Sequence, residues 1–177
     1  MFDIESIRRQ FPALDRCHNG QPAVFFDGPA GSQVPQSVAD AISHYLLNTN
    51  ANHGGSFATS RESDLILDAA HQAVADFLGA DSPDCTSFGA NMTTLTMSFA
   101  RSVGQTWSAE DEVIVTDLDH DANVTTWQLA ARDAGASIHR IGVCSKDCTL
   151  DLDDLRSKLS DRTKLVAVGY ASNITGT

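Results

Sequence analysis

The sequence predicts an α/β fold: a doubly wound, mostly parallel sheet with helices on both faces. Three observations carry this. Short apolar runs such as Glu112 to Thr116 (EVIVT) and Lys164 to Tyr170 (KLVAVGY) are continuous rather than alternating, as in strands buried on both sides. Helix-patterned segments separate these runs, several of them stopped by glycine. The 177 residues are 42% hydrophobic, enough for a sizeable core, and show neither internal repeats nor low-complexity tracts.

Taken in order, Asp3 is an N-cap for a short helix over Ile4 to Gln10. Ala23-Val24-Phe25-Phe26 reads as a short strand closed by the turn Asp27-Gly28-Pro29-Ala30-Gly31. Pro35 suits the first turn of a helix reaching about Leu47, with Val38, Ile42, Tyr45 and Leu46 on one face. A polar loop, Asn48 to Thr59, leads to a long helix from Ser60 to Leu78, stopped by Gly79. Strands then follow at Cys85 to Phe88, Glu112 to Thr116, Ser137 to Ile141 and Lys164 to Tyr170. The helices between them are Asn91 to Val103, Ala122 to Asp133 before Gly135, and Asp151 to Ser160, which opens on a capping-type Asp151/Asp154 spacing. Two divisions are expected: an N-terminal segment, 1–55, and a larger sheet domain, 56–177. The last strand reads as buried, yet only seven residues follow it. The sequence is therefore expected to be the N-terminal part of a longer protein, or a domain completed by another chain.

Composition narrows the function. Twenty-three acidic residues against 12 basic ones give a net charge of -11, which argues against a nucleic-acid partner. No apolar run approaches the roughly 20 residues that cross a bilayer, and the start MFDIESIRRQF lacks a signal-peptide core. The expectation is a cytoplasmic protein with no membrane partner. Cys17, Cys85, Cys144 and Cys148 form no disulfide framework, and the Cys144/Cys148 spacing is wider than in usual zinc pairs.

In open α/β sheets ligands bind beyond the carboxyl ends of the strands, so the residues after each strand are the ones to inspect. Three polar clusters fall there. Gly89-Ala90-Asn91-Met92-Thr93-Thr94 begins a helix, where free N–H groups and the helix dipole suit a phosphate; taken alone, the segment is more simply an ordinary capped glycine turn. Asp117, Asp119, His120 and Asp121 follow the second strand. Alternating aspartates resemble the start of a calcium loop, but Ala122 and Gln128 replace the glycine and glutamate that an EF-hand requires. His120 is a candidate for stacking or acid–base work, and a solvated acidic turn is the competing reading. Ser172-Asn173-Ile174-Thr175-Gly176-Thr177 places an amide and hydroxyls after the last strand.

The ordered set FFDGPAGSQVP, FGANMTT, VTDLDHDANVTTW and YASNITGT resembles the N-terminal part of the class V aminotransferase-fold pyridoxal-phosphate enzymes, nearest the cysteine desulfurase-like group. That resemblance spans nearly the whole chain. It implies the aspartate aminotransferase-like sheet, incomplete at the C-terminus, and pyridoxal 5'-phosphate as cofactor. It also implies roles by position: Ala90 and Asn91 at the cofactor phosphate, His120 stacked on the pyridine ring, and Asn173 near the ring's phenolic oxygen. Asp27 to Ser32 and His53-Gly54-Gly55 would approach the substrate side.

The family's covalent lysine, in a Ser-x-His-Lys type motif, has no counterpart among Lys146, Lys158 and Lys164, and its pyridine-pairing aspartate and nucleophilic cysteine are also expected beyond residue 177. Without them the covalent chemistry cannot run, so these residues alone are expected to be inactive. The full protein is expected to act on an amino-acid substrate, as a homodimer by the family's habit. Two alternatives stand beside this: a non-catalytic fragment or interaction module, and a metal-dependent hydrolase built on Asp117 to Asp121.

Overall fold

The computed structural model describes residues 2–177. The chain forms two compact units, the first ending at Ser87 and the second running Phe88–Thr177.

The first unit opens with helix α1 (Ile4–Arg8), capped by the Asp3 carboxylate, which accepts from Ser6 N at 3.0 Å. A two-stranded antiparallel ribbon follows, β1 (Cys17–His18) and β2 (Gln21–Pro22). Its turn is Asn19-Gly20, with φ of 51° and 77°. A two-residue turn of type I′ needs positive φ at both positions, and Asn-Gly supplies it at the least steric cost. The strand expected over Ala23 to Phe26 does not form. Ala23 N extends the ribbon by one bond to Arg16 O (2.8 Å), after which the run has no partner and Phe26 is 95% exposed. Apolar character alone does not make a strand when no neighbouring chain accepts its N–H groups.

Helix α2 (Gln36–His44) follows Pro35 and continues as a wider turn over Tyr45–Thr49; Val38, Ile42 and Leu46 on its expected apolar face are exposed. Helix α3 (Ala58–Leu78) ends at Gly79 in the left-handed conformation, as expected. Its buried residues are small: Ser60, Ser63 and Ala75. Ser60 Oγ donates to Asn52 O at 2.6 Å and accepts from Gly55 N at 2.7 Å, while Ser63 Oγ donates to Thr49 O at 2.6 Å. These bonds lace the loop after α2 onto α3. Gly55 has no room for a side chain, since a Cβ there would stand 2.5 Å from the Phe57 ring. Cys85 to Phe88 is not a strand either. Pro83–Cys85 is a 3-10 turn, and the buried Thr86 donates its hydroxyl to Pro83 O at 2.8 Å and pairs with His71 Nδ1 at 3.0 Å, which ties the segment to α3.

The second unit holds the parallel sheet: β3 (Glu112–Thr116), β4 (Ser137–Ile141) and β5 (Thr163–Val166), in the order β4-β3-β5. Its helices are α4 (Met92–Gly104), α5 (Thr125–Ala134) and α6 (Leu152–Lys158). Every residue of β3 is buried. Val113 and Val115 pack with Ala100, Trp127, Ala130 and Ala131 of α4 and α5, while α6 packs on β4. Asp151 caps α6 as expected, accepting from Asp153 N and Asp154 N; Asp154 instead accepts from Gly142 N (3.0 Å) and Lys158 (2.8 Å), fastening α6 to the end of β4. Strand β5 is shorter than expected: its last ladder bond is Ala167 N to Ile114 O at 2.8 Å, before β3 reaches its end at Thr116, and Val168 and Tyr170 are exposed. Among the described residues no helix is long and apolar enough to cross a membrane.

At the amino edge of the sheet, Glu112 is buried at 5% exposure. Ser160 Oγ donates to its carboxylate at 2.7 Å, Arg162 closes on the other oxygen, and His139 Nε2 lies 3.6 Å away. The Ser160 hydroxyl above all, with the charges of Arg162 and His139, holds this carboxyl below the ordinary glutamate value. A carboxyl depressed in the folded state contributes stability that is complete above about pH 4.3 and is lost as the pH falls through its lower folded value. The urea midpoint is therefore expected to drop on acidification below about pH 4.3, and Glu112→Gln to flatten part of that drop. Equal pH profiles for the two proteins would refute the assignment.

Candidate functional site at the carboxyl edge of the sheet

Connection β3–α5–β4 moves to one side of β3, and β4–α6–β5 returns to the other. Such a reversal leaves a crevice at the carboxyl ends of the two strands that part, here β3 and β5. The segments after both strands meet there: Leu118 and Asp119 line a cavity of about 10 Å³ with Leu150, Gly169, Ala171 and Ser172.

The start of α4 lies on the same side. Phe99 meets Trp127 edge-on with centroids 6.0 Å apart, and a Cβ on Gly104 would stand 3.2 Å from Ala130 Cβ. With contacts in that order α4 and α5 run in the same direction, and α4 also touches the 3-10 turn Asp121–Asn123. Asn91 is the N-cap of α4. Its Oδ1 accepts from Thr94 N at 2.9 Å and from Thr94 Oγ1 at 2.7 Å, leaving Nδ2 as a donor. The N–H groups of Met92 and Thr93 precede the first intrahelical bond and are the anion-facing donors of a helix start. Gly89 is required by crowding, because a Cβ there would lie 2.5 Å from Leu95 Cγ.

His120 is exposed and caps the Asp121–Asn123 turn, its Nδ1 accepting from Ala122 N at 3.1 Å. An accepting Nδ1 leaves the proton of the neutral ring on Nε2, the tautomer that the hydrogen bond assigns. The three aspartates around it are each occupied differently. Arg140 Nε donates to Asp117 at 2.7 Å, Thr125 Oγ1 donates to Asp121 at 2.6 Å, and Asp119 receives Thr116 Oγ1 and Asn123 Nδ2, the latter at 2.8 Å. Among the described residues no group of three or more histidines, cysteines or acids could hold a metal ion.

Asn173 is exposed in a turn closed by Ser172 N to Thr177 O (2.7 Å) and Gly176 N to Ser172 O (3.0 Å). Ala90, Asn91, His120 and Asn173 all belong to the second unit, at its carboxyl edge. Segments Asp27 to Ser32 and His53-Gly54-Gly55 belong to the first. There Gly54 N donates to Asp64 at 2.9 Å, and a 3-10 turn covers Gly28–Ala30. Sequence reasoning missed the bonding of Asp119 and Asp117. A threonine ending a strand three residues before an aspartate is a local signal for the first; the Arg140 partner comes from another strand and leaves no such trace.

The family model described as Aminotransferase class-V matches residues 24–177. A probable cysteine desulfurase of Vibrio cholerae is 37% identical over 182 residues, covering 100% of this chain and 44% of the relative. The cysteine desulfurase of Synechococcus elongatus is 36% identical, with 99% and 28% covered. The chain thus spans less than half the length of these relatives. Among solved structures, the Escherichia coli cysteine desulfurase CsdA superposes with a TM-score of 0.82 at 26% identity, over 100% of this chain and 43% of that one. The apo cysteine desulfurase of Thermococcus onnurineus gives 0.84 at 27%, over 98% and 41%. A C-DES variant with glycine covalently linked to its PLP cofactor shares the fold, with a TM-score of 0.72 at 22% identity. The family-model match along residues 24–177, with cysteine desulfurases aligned over the whole of this chain, means that the chain belongs to the class V aminotransferases and is cysteine desulfurase-like.

Proposed function

We propose that this chain supplies the phosphate side and ring face of a pyridoxal-phosphate site in a cysteine desulfurase whose substrate is cysteine. The observation that carries the reading is the convergence of the α4 start, His120 and Asn173 at one sheet edge in a chain of this family. The residues present suit such a group: a helix start with two donor N–H groups for a dianionic phosphate, a flat neutral imidazole, and an exposed amide. Pyridoxal phosphate, when bound, supplies the electron sink for bond-breaking at an amino acid.

This chain's residues bind and orient. Met92 N, Thr93 N and Asn91 Nδ2 would receive the phosphate, His120, with its proton on Nε2, would face the ring, and the Asn173 amide would donate at the ring's phenolic oxygen. The three lysines do not serve as covalent anchor. Lys158 is held by Asp154 and Arg140 O, Lys164 pairs with Asp111 at the amino edge, and Lys146 lies in the exposed turn after β4. The 177 residues alone are thus expected to be inactive. The whole protein is read as a cytoplasmic homodimer.

The test is titration of the full-length protein with pyridoxal phosphate, followed by borohydride reduction and peptide mapping. An absorbance band that reduction fixes to one lysine other than Lys146, Lys158 and Lys164, with sulfide released from cysteine, is the expected result. Absence of the band refutes the cofactor assignment, and a band without sulfide release refutes the substrate.

A further inference from the structure

We propose that Asp119 is a positioning residue that fixes His120 relative to Asn173, and that Gly169 is the glycine that lets it do so. This rests on the reading of His120 and Asn173 given above. Asp119 joins the two segments that carry them. Within the β3 loop, Thr116 Oγ1 donates to its Oδ2 and Asn123 Nδ2 donates to its Oδ1 at 2.8 Å. Asn123 Oδ1 in turn accepts from the indole N–H of Trp127 at 3.0 Å, so the loop is anchored in the core. The turn that Asn123 ends is the one whose Ala122 N–H holds the His120 ring. Toward β5, the chain passes so close that a Cβ on Gly169 would stand 2.8 Å from Asp119 Oδ1. A free carboxylate would swing aside. This one is held from both oxygens, so the β5 segment leading to Asn173 rests against a fixed wall, with only about 10 Å³ of space left beside it.

The bonding demands a carboxylate. Thr116 Oγ1 already accepts from Leu118 N (3.2 Å) and Asp119 N (3.1 Å), so its two lone pairs are used and its proton must find an acceptor. Asn123 offers an N–H₂ because its oxygen is taken by Trp127. An amide at position 119 satisfies one of these partners and opposes the other, whichever way it is turned. Exchanging the two side chains restores the pattern: an amide at 119 accepts from Thr116 and donates to a carboxylate at 123, whose second oxygen accepts from Trp127.

The experiment uses the full-length protein as Asp119→Asn, Asn123→Asp, the double exchange and Gly169→Ala. The tautomer of His120 is read by nitrogen NMR of histidine-labelled, cofactor-free protein, and pyridoxal-phosphate affinity by fluorescence titration. Asp119→Asn is expected to populate the Nδ1–H tautomer and to weaken cofactor binding roughly tenfold, about the effect of one lost hydrogen bond. Gly169→Ala is expected to weaken binding while leaving the tautomer as it is. The double exchange is expected to restore both readouts to within about threefold, a rescue that a merely structural role would not give. An unchanged His120 tautomer in Asp119→Asn, or a folded double exchange no better than the single variants, overturns the proposal. If the unmutated protein binds no pyridoxal phosphate, the cofactor reading fails, while the tautomer measurement still decides the role of Asp119.

Discussion

Replacing His120 with alanine in the full-length protein is expected to lower kcat/KM for cysteine by roughly 10²-fold or more, with the unfolding midpoint nearly unchanged. The two halves of this expectation have separate causes. His120 is exposed, and its one bond is Nδ1 accepting from Ala122 N, so stability loses a single turn cap. Catalysis loses a flat imidazole at the sheet's switch point, and the other histidine of the second unit, His139, faces Glu112 at the amino edge. Steady-state sulfide release together with thermal unfolding measures both quantities. Wild-type turnover in a folded His120→Ala would remove this residue from the machinery. A large fall in the unfolding midpoint would make its role structural.

Trp127→Ala is expected to be the most destabilising single change considered, by about 3–5 kcal/mol in urea unfolding. The ring is 6% exposed, meets Phe99 edge-on and Trp107 at 6.4 Å, and joins α4, α5 and the face of β3 that carries Val113 and Val115. Its removal leaves a void that small neighbours such as Ala100, Ala130 and Ala131 cannot fill by reorienting. Trp127→Phe separates packing from bonding. It keeps most of the volume and drops the donor to Asn123, which predicts a loss nearer 1 kcal/mol. Equal losses for the two variants would mean that the hydrogen bond, not the packing, carries the cost.

Legibility in the sequence followed the range of the forces involved. Glu112–Thr116 was readable to the residue because a continuous apolar run between helices admits little else, and Ser137–Ile141 because it opens just after Gly135, which stops the preceding helix. Gly79, Gly135 and the caps Asp3, Asn91 and Asp151 were readable because a cap is a local bond. Ala23 to Phe26 and Cys85 to Phe88 were misread for the complementary reason: a strand needs a partner, and none is encoded within the run itself. Asn19-Gly20 was a local hairpin signal that the alternation of neighbouring residues did not advertise. At the site, the order of motifs marked His120 and Asn173. What holds them could be seen only once Thr116, Asn123 and Gly169 were brought around one carboxylate.

The order of strands also sets a timetable for synthesis. Strand β3 is the centre of the sheet, yet it leaves the ribosome before either neighbour. Its partner Ser137 follows Glu112 by about 25 residues, one to five seconds at ordinary elongation rates, and Thr163 by about twice that. For those seconds Val113, Ile114 and Val115 have no strand to pair with. Doubling the loop adds only about 0.6 kcal/mol of closure entropy, so waiting time rather than thermodynamics separates the two pairings. The most buried segment of the second unit is thus the one the nascent chain exposes longest, and the surrounding acidic residues, Glu110, Asp111, Glu112 and Asp117, flank it with charge while it waits.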